Sequence, residues 1–110
     1  MEKFAWINLL YDFYGHLLTE RQRRFVELHY GHDLSLGEIA ENCRVSRQAV
    51  HDVLKRAEIS LSGFEEKLGL AGRFLEQQKR LKEALALLDG EEGEKILLAR
   101  EIIKEATDSF

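Results

Sequence analysis

The stretch Leu34–Arg56, LSLGEIAENCRVSRQAVHDVLKR, most constrains what this chain can fold into. Its spacing predicts two helices joined by a tight turn, a helix-turn-helix. Ser35 is positioned to cap the first helix, and Glu38 three residues on completes a capping box. Leu36, Ile39, Ala40 and Cys43 fall at i, i+3, i+4 and i+7, one face of a short helix. Ala40 is small where the two helices must cross closely. Arg44-Val45 makes the turn, and Val45 plugs the gap between the helices. Ser46 caps the second helix, whose buried face is Val50, Val53, Leu54 and Ala57. Arg47, Gln48, His51, Asp52, Lys55 and Arg56 are left for the outside, the kind of face a DNA major groove accepts. The competing reading is an αα-corner that only packs.

The outer face has an internal logic if DNA is its target. Gln48 is the best base reader, because its amide can pair bidentately with adenine. Arg47, at the helix N-terminus beside the cap Ser46, can read guanine or clamp a phosphate. His51 lies one turn on and can contact base or sugar. Lys55 and Arg56, further along, suit phosphates, as does Arg44 in the turn. Arg44 stands where many such turns carry glycine. A left-handed arginine there costs ~1 kcal/mol, unless the turn avoids that conformation.

The flanking segments also read as helical. A first helix is predicted over Glu2–Tyr14 from Phe4, Ile7, Leu10 or Tyr11, and Tyr14, with Gly15 as its C-terminal stop. Trp6, Leu9 and Phe13 widen its apolar surface beyond one stripe. Thr19 opens a second helix, with Gln22 in the capping-box position and Gly31 at its end. Arg21, Arg23 and Arg24 lie on its first turns, either against phosphates or as a solvated face. The third helix is predicted over Ser35–Asn42. The fourth follows Ser46 and runs to Leu68, with Gly69 ending it and a kink near Ser60–Gly63. A fifth helix over Gly72–Leu88 carries Phe74, Leu81, Leu85 and Leu88 in a near-heptad line, and Asp89-Gly90 closes it. A sixth over Glu91–Thr107 carries Ile96, Ala99, Ile103 and Ala106 on one side, broadened by Leu97, Leu98 and Ile102. This pair makes an αα-hairpin, with Asp108–Phe110 fraying. The expected fold is all-α: a helix-turn-helix domain at 1–70, then a helical hairpin at 71–110 packed on it or on a second subunit.

The order LTERQRRFVELHY then LSLGEIAENCRVSRQAV resembles region 4 of bacterial sigma factors. A closer resemblance, over about Asn8 to Leu70, is to the YlxM-like family of small bacterial proteins. NLLYDFYGHLLTERQRRFVELHY, DLSLGEIAE, VSRQAVHD and FEEKLGL carry it. Generic sigma-like domains lack the NLLYDFYG opening and the FEEKLGL close. The resemblance implies a sigma-region-4-like DNA-binding domain. It also implies a regulatory role in the signal recognition particle pathway, because family members are encoded beside that particle's GTPases. Those GTPases, or RNA, are therefore implied partners.

Charge bears on the DNA reading. The net charge of −4 argues mildly against a general nucleic-acid binder. Residues 19–60, however, are neutral, with seven basic and seven acidic side chains, while residues 61–110 carry eight basic and eleven acidic ones. Arg44, Arg47, Lys55 and Arg56 have only Asp52 among them. A local patch of that kind binds DNA with few phosphate contacts and weak non-specific affinity.

Other functions find little support in the sequence. His16, His29, His32, His51 and Cys43 are the soft metal ligands, and zinc needs about four converging. His29 and His32 straddle a helix end, and Cys43 reads as a small core residue. No phosphate-binding glycine pattern occurs. The adjacent pairs Glu65-Glu66 and Glu91-Glu92 point in different directions on a helix. Neither enzymatic activity nor a cofactor or metal is expected. No apolar run approaches the ~20 residues of a membrane span, no signal peptide is apparent, and the single cysteine excludes an internal disulfide. A cytoplasmic location is expected. A homodimer through the C-terminal helices would give two recognition helices to a palindromic site, and a monomer would hide the same residues within the hairpin. The alternative to DNA binding is an interaction adaptor of the signal recognition particle pathway, with the helix-turn-helix as its framework.

Overall fold

The computed structural model describes residues 1–89 and 93–108. It is all-α, with six α-helices and no strand among the described residues. These are α1 (Lys3–Tyr14), α2 (Glu20–Val26), α3 (Leu36–Cys43), α4 (Arg47–Leu68), α5 (Leu70–Leu88) and α6 (Glu94–Asp108). The chain divides into two compact units, Met1–Ala71 and Gly72–Phe110. Among the described residues no helix is long and apolar enough to cross a membrane.

In the first unit α4 packs against α1, α2 and α3. Leu10, Tyr14, Val26, Ile39, Val50, Ala57 and Leu61 are almost wholly removed from water. Burial of one such aliphatic side chain contributes ~1.5–3 kcal/mol, so this cluster holds the unit together. Trp6, Leu9 and Phe13 pack half-buried around it, which accounts for the broad apolar surface of α1. Val53 is only half-buried, at the margin of the face assigned to the core by its spacing. Cys43 is likewise half-buried.

Several boundaries depart from the local reading. Gly15 does not stop α1 by turning left-handed: its φ is −55°, and the chain tightens into a 3₁₀ turn over Gly15–Leu17. Glycine is needed for space, since a Cβ there would lie 2.7 Å from Cε2 of Tyr11. The second helix is α-helical only to Val26 and then widens into a π-helical turn, Glu27–Gly31. That turn brings the rings of His29 and Tyr30 to 5.3 and 4.7 Å from Phe4. The His29 Nδ1 donates to the Leu34 carbonyl at 2.7 Å, which ties the connection to α3. Helix α4 passes through Ser60–Gly63 without a break, with Leu61 fully buried, and ends at Gly69 with φ 63°.

Helix α5 starts at Leu70, two residues earlier than expected. Its first backbone N–H groups find acceptors outside the helix. Leu70 donates to the Tyr14 hydroxyl at 3.0 Å, and Ala71 to Glu65 Oε1 at 3.0 Å.

In the second unit the described parts of α5 and α6 lie side by side and antiparallel. Gln78 Nε2 donates to the Thr107 carbonyl at 3.0 Å, and Arg100 pairs with Asp89 at 3.1 Å. Ile96, Ala99, Ile103 and Ala106 are half-buried, whereas Leu97, Leu98 and Ile102 are exposed, as is Leu87. The expected start of the last helix at Glu91 and the expected turn residue Gly90 lie outside the described residues. So do Ser109 and Phe110, while Asp108, expected to fray, closes α6.

Candidate nucleic-acid interface

Local hydrogen bonds build the helix-turn-helix. Ser35 Oγ accepts from the Glu38 N–H at 3.1 Å, and Glu38 Oε1 accepts from the Ser35 N–H at 3.0 Å. The Ser35 N–H first, and the Ser35 hydroxyl after it, hold the Glu38 carboxyl below its ordinary pKa. At the end of α3, Arg44 takes φ 55° and ψ 46°. The Val45 N–H reaches back to the Ala40 carbonyl at 3.1 Å, closing the turn. The glycine-like conformation is therefore adopted by an arginine. Val45 packs half-buried against the core beside Ala40. Ser46 Oγ accepts from the Ala49 N–H at 3.0 Å and starts α4.

One helix then separates two surfaces. Val50, Leu54 and Ala57 are buried. Arg44, Ser46, Arg47, Gln48, His51, Lys55 and Arg56, the residues singled out by their spacing, are all exposed. Asp52 is exposed among them and organises its neighbours. Its Oδ1 accepts from Gln48 Nε2 at 2.9 Å and lies 3.5 Å from His51 Nδ1. Sequence reasoning assigned Asp52 no role, although the i,i+4 spacing of Gln48 and Asp52 is a readable signal for such a bond. Arg47 also behaves in a way its position does not reveal. Its guanidinium lies back over the first turn of α3, where Nη2 is 3.0 Å from the place a Gly37 Cβ would occupy. Further along α4, Lys3 of α1 pairs with Glu58 at 2.8 Å.

Among the described residues no three His, Cys, Asp or Glu side chains converge as a metal site. The arrangement offers hydrogen-bond donors, one carboxylate and several cations on an open helix face, which suits recognition.

The comparisons with known proteins agree with that geometry. Residues 1–101 match the UPF0122 family, described as "Putative helix-turn-helix protein, YlxM / p13 like". A UPF0122 protein of Desulforamulus reducens is 62% identical over 93 residues, covering 84% of this chain and 80% of the relative. One from Thermoanaerobacter sp. strain X514 is 55% identical over 80 residues, 73% of this chain and 68% of the relative. One from Bacillus cereus strain AH187 is 49% identical over 92 residues, 84% of each chain. With its capped helices, left-handed turn and family match in accord, the chain belongs to the UPF0122 family of YlxM / p13 like helix-turn-helix proteins.

Proposed function

We propose that the protein binds duplex DNA through the outward face of α4 and acts as a cytoplasmic regulatory protein. The observation that carries this reading is the division of α4, with Gln48, His51, Lys55 and Arg56 open to solvent and Val50, Leu54 and Ala57 buried. A helix so divided can enter a major groove without disturbing the core. In this reading Gln48 reads adenine, oriented by Asp52. Arg47, lying back over Gly37, clamps phosphate in preference to reading guanine. Arg44, Ser46, Lys55 and Arg56 add backbone contacts, and His51 meets base or sugar.

Fluorescence anisotropy with a mixed-sequence duplex tests it. Binding should weaken steeply with salt. Lys55→Ala should lower the salt slope by ~0.9 for every sequence. Gln48→Ala should instead cost ~1–3 kcal/mol at particular sites only. An affinity indifferent to salt and to both substitutions refutes the assignment.

The finer reading is regulation within the signal recognition particle pathway, by a homodimer paired through the C-terminal helices. Its support is the resemblance to the YlxM-like family together with the exposed Leu87, Leu97, Leu98 and Ile102. The same apolar residues favour the second reading, an adaptor that contacts the pathway's GTPases or RNA without DNA. Pull-down with those components, beside light scattering at micromolar protein, separates the two. A monomer that binds DNA and captures no component leaves the α4 reading alone.

A further inference from the structure

We infer that the groove between α2 and the turn of the helix-turn-helix is a second site for the nucleic-acid backbone, formed by Arg21, Arg24 and Arg44. This rests on the DNA reading of α4, which already uses Arg44, and extends it to Arg21 and Arg24 of α2.

The groove encloses about 690 Å³. It is an open cleft, so a strand passing over the surface can lie along it. Arg21 and Arg24 enter it from α2 and Arg44 from the turn, with Glu20 as the one carboxylate and Phe25 and Val45 as apolar lining. All three arginines are exposed, and none forms an ion pair among the described residues. Three guanidinium groups against one carboxylate leave the groove positive in a protein whose net charge is −4.

The guanidinium groups are also suited to phosphate. The Arg21 guanidinium carbon sits 5.4 Å from the centroid of the Phe25 ring. That contact restrains the side chain while its N–H groups remain available to an oxyanion. Arg44 holds φ 55°, which glycine takes without steric cost, so the turn itself does not require its side chain. Planar guanidinium forks match phosphodiester oxygens in pairs. The groove is continuous with the α4 surface through Arg44, which stands two residues before the cap Ser46. A duplex seated on α4 can therefore carry its sugar-phosphate strand past the turn and into the groove.

The test is the salt dependence of binding to a labelled mixed-sequence duplex. It compares the wild type, the Arg21→Gln/Arg24→Gln double variant, Arg44→Gly and Lys55→Ala. The double variant should lower the salt slope by up to ~1.8 and Arg44→Gly by ~0.9, with the ranking of sequences unchanged. Each lost contact weakens binding roughly eightfold at 0.1 M salt. Arg44→Gly keeps the turn, since glycine accepts the positive φ, so a loss there is not a loss of fold. If Lys55→Ala and Arg44→Gly lower the slope and the Arg21→Gln/Arg24→Gln double variant does not, the groove assignment falls and the α4 reading stands. If the wild type shows no salt-dependent binding, both fall. A parallel titration with inorganic phosphate, followed by the arginine Nε–H NMR resonances, addresses the other source of the same chemistry. Saturation by phosphate with unchanged DNA slopes in the variants would make the groove a small-anion site and overturn its assignment to backbone.

Discussion

Asp52 Oδ1 accepts a hydrogen bond from Gln48 Nε2 at 2.9 Å, one helical turn away on the exposed face of α4. This places a negative charge in the middle of the surface proposed to meet DNA, and ties it to the residue proposed to read a base. Asp52→Asn should therefore separate charge from orientation. The amide can still accept from Gln48, while removal of a like charge near phosphate is worth ~1 kcal/mol at contact distance in water. Binding to all duplexes should tighten in a filter or anisotropy titration. A general weakening would show that the carboxylate itself takes part in recognition.

Arg44 opposes stability to binding. Its φ of 55° is unfavourable for a residue with a Cβ. Arg44→Gly should raise stability by up to ~1 kcal/mol, read as a higher melting temperature, while DNA affinity falls. A lower melting temperature would show that the arginine side chain makes stabilising contacts that outweigh the backbone cost.

Tyr14 joins distant parts of the first unit. Its hydroxyl donates to Glu65 at 2.7 Å and accepts from the Leu70 N–H at 3.0 Å. Tyr14→Phe keeps the ring and removes both bonds, which should cost ~1–3 kcal/mol in urea unfolding. An unchanged midpoint would mean that water replaces the hydroxyl without loss.

Two glycines should respond in opposite directions to the same change. A methyl group at Gly63 of α4 meets no atom within 4 Å beyond its own turn of helix, so Gly63→Ala should stabilise the helix by roughly 0.5–1 kcal/mol. At Gly15 the methyl would strike the Tyr11 ring, so Gly15→Ala should destabilise by ~1–3 kcal/mol. Thermal melts of both variants check the pair, and a shared sign would contradict it.

The folded protein should lose stability in alkali. Tyr11 is pushed up to about 12, by burial first and then by its bond to the Glu27 carboxylate. Tyr14 and Tyr30 are also raised, again chiefly by burial. Because the folded values lie above the unfolded value of ~10, their contribution is full below pH ~10 and is lost as pH rises through the folded values. The melting temperature should fall between pH ~10 and ~12, and Tyr11→Phe should flatten that fall. An equally steep fall in the variant would assign it to other groups.

The helix-turn-helix was legible in the sequence because short-range bonds build it. Ser35 with Glu38 and Ser46 with Ala49, like Thr19 with Gln22 in the helix before them, are pairs three residues apart, close enough for side-chain chemistry and spacing to locate the starts of α3, α4 and α2. The exposed residues of α4 followed from the same periodicity. What only the tertiary structure decided involves partners far apart in the chain or choices of packing. Leu70 begins α5 because a hydroxyl 56 residues earlier accepts its N–H. The π-helical turn at Glu27–Gly31 accompanies the packing of His29 and Tyr30 on the Phe4 ring. Arg21 and Arg24 join Arg44 only because α2 packs across α4 beside the turn. Local spacing carries no record of such meetings. They exist because buried apolar faces must find one another, and the polar side chains at their edges are brought together as a consequence.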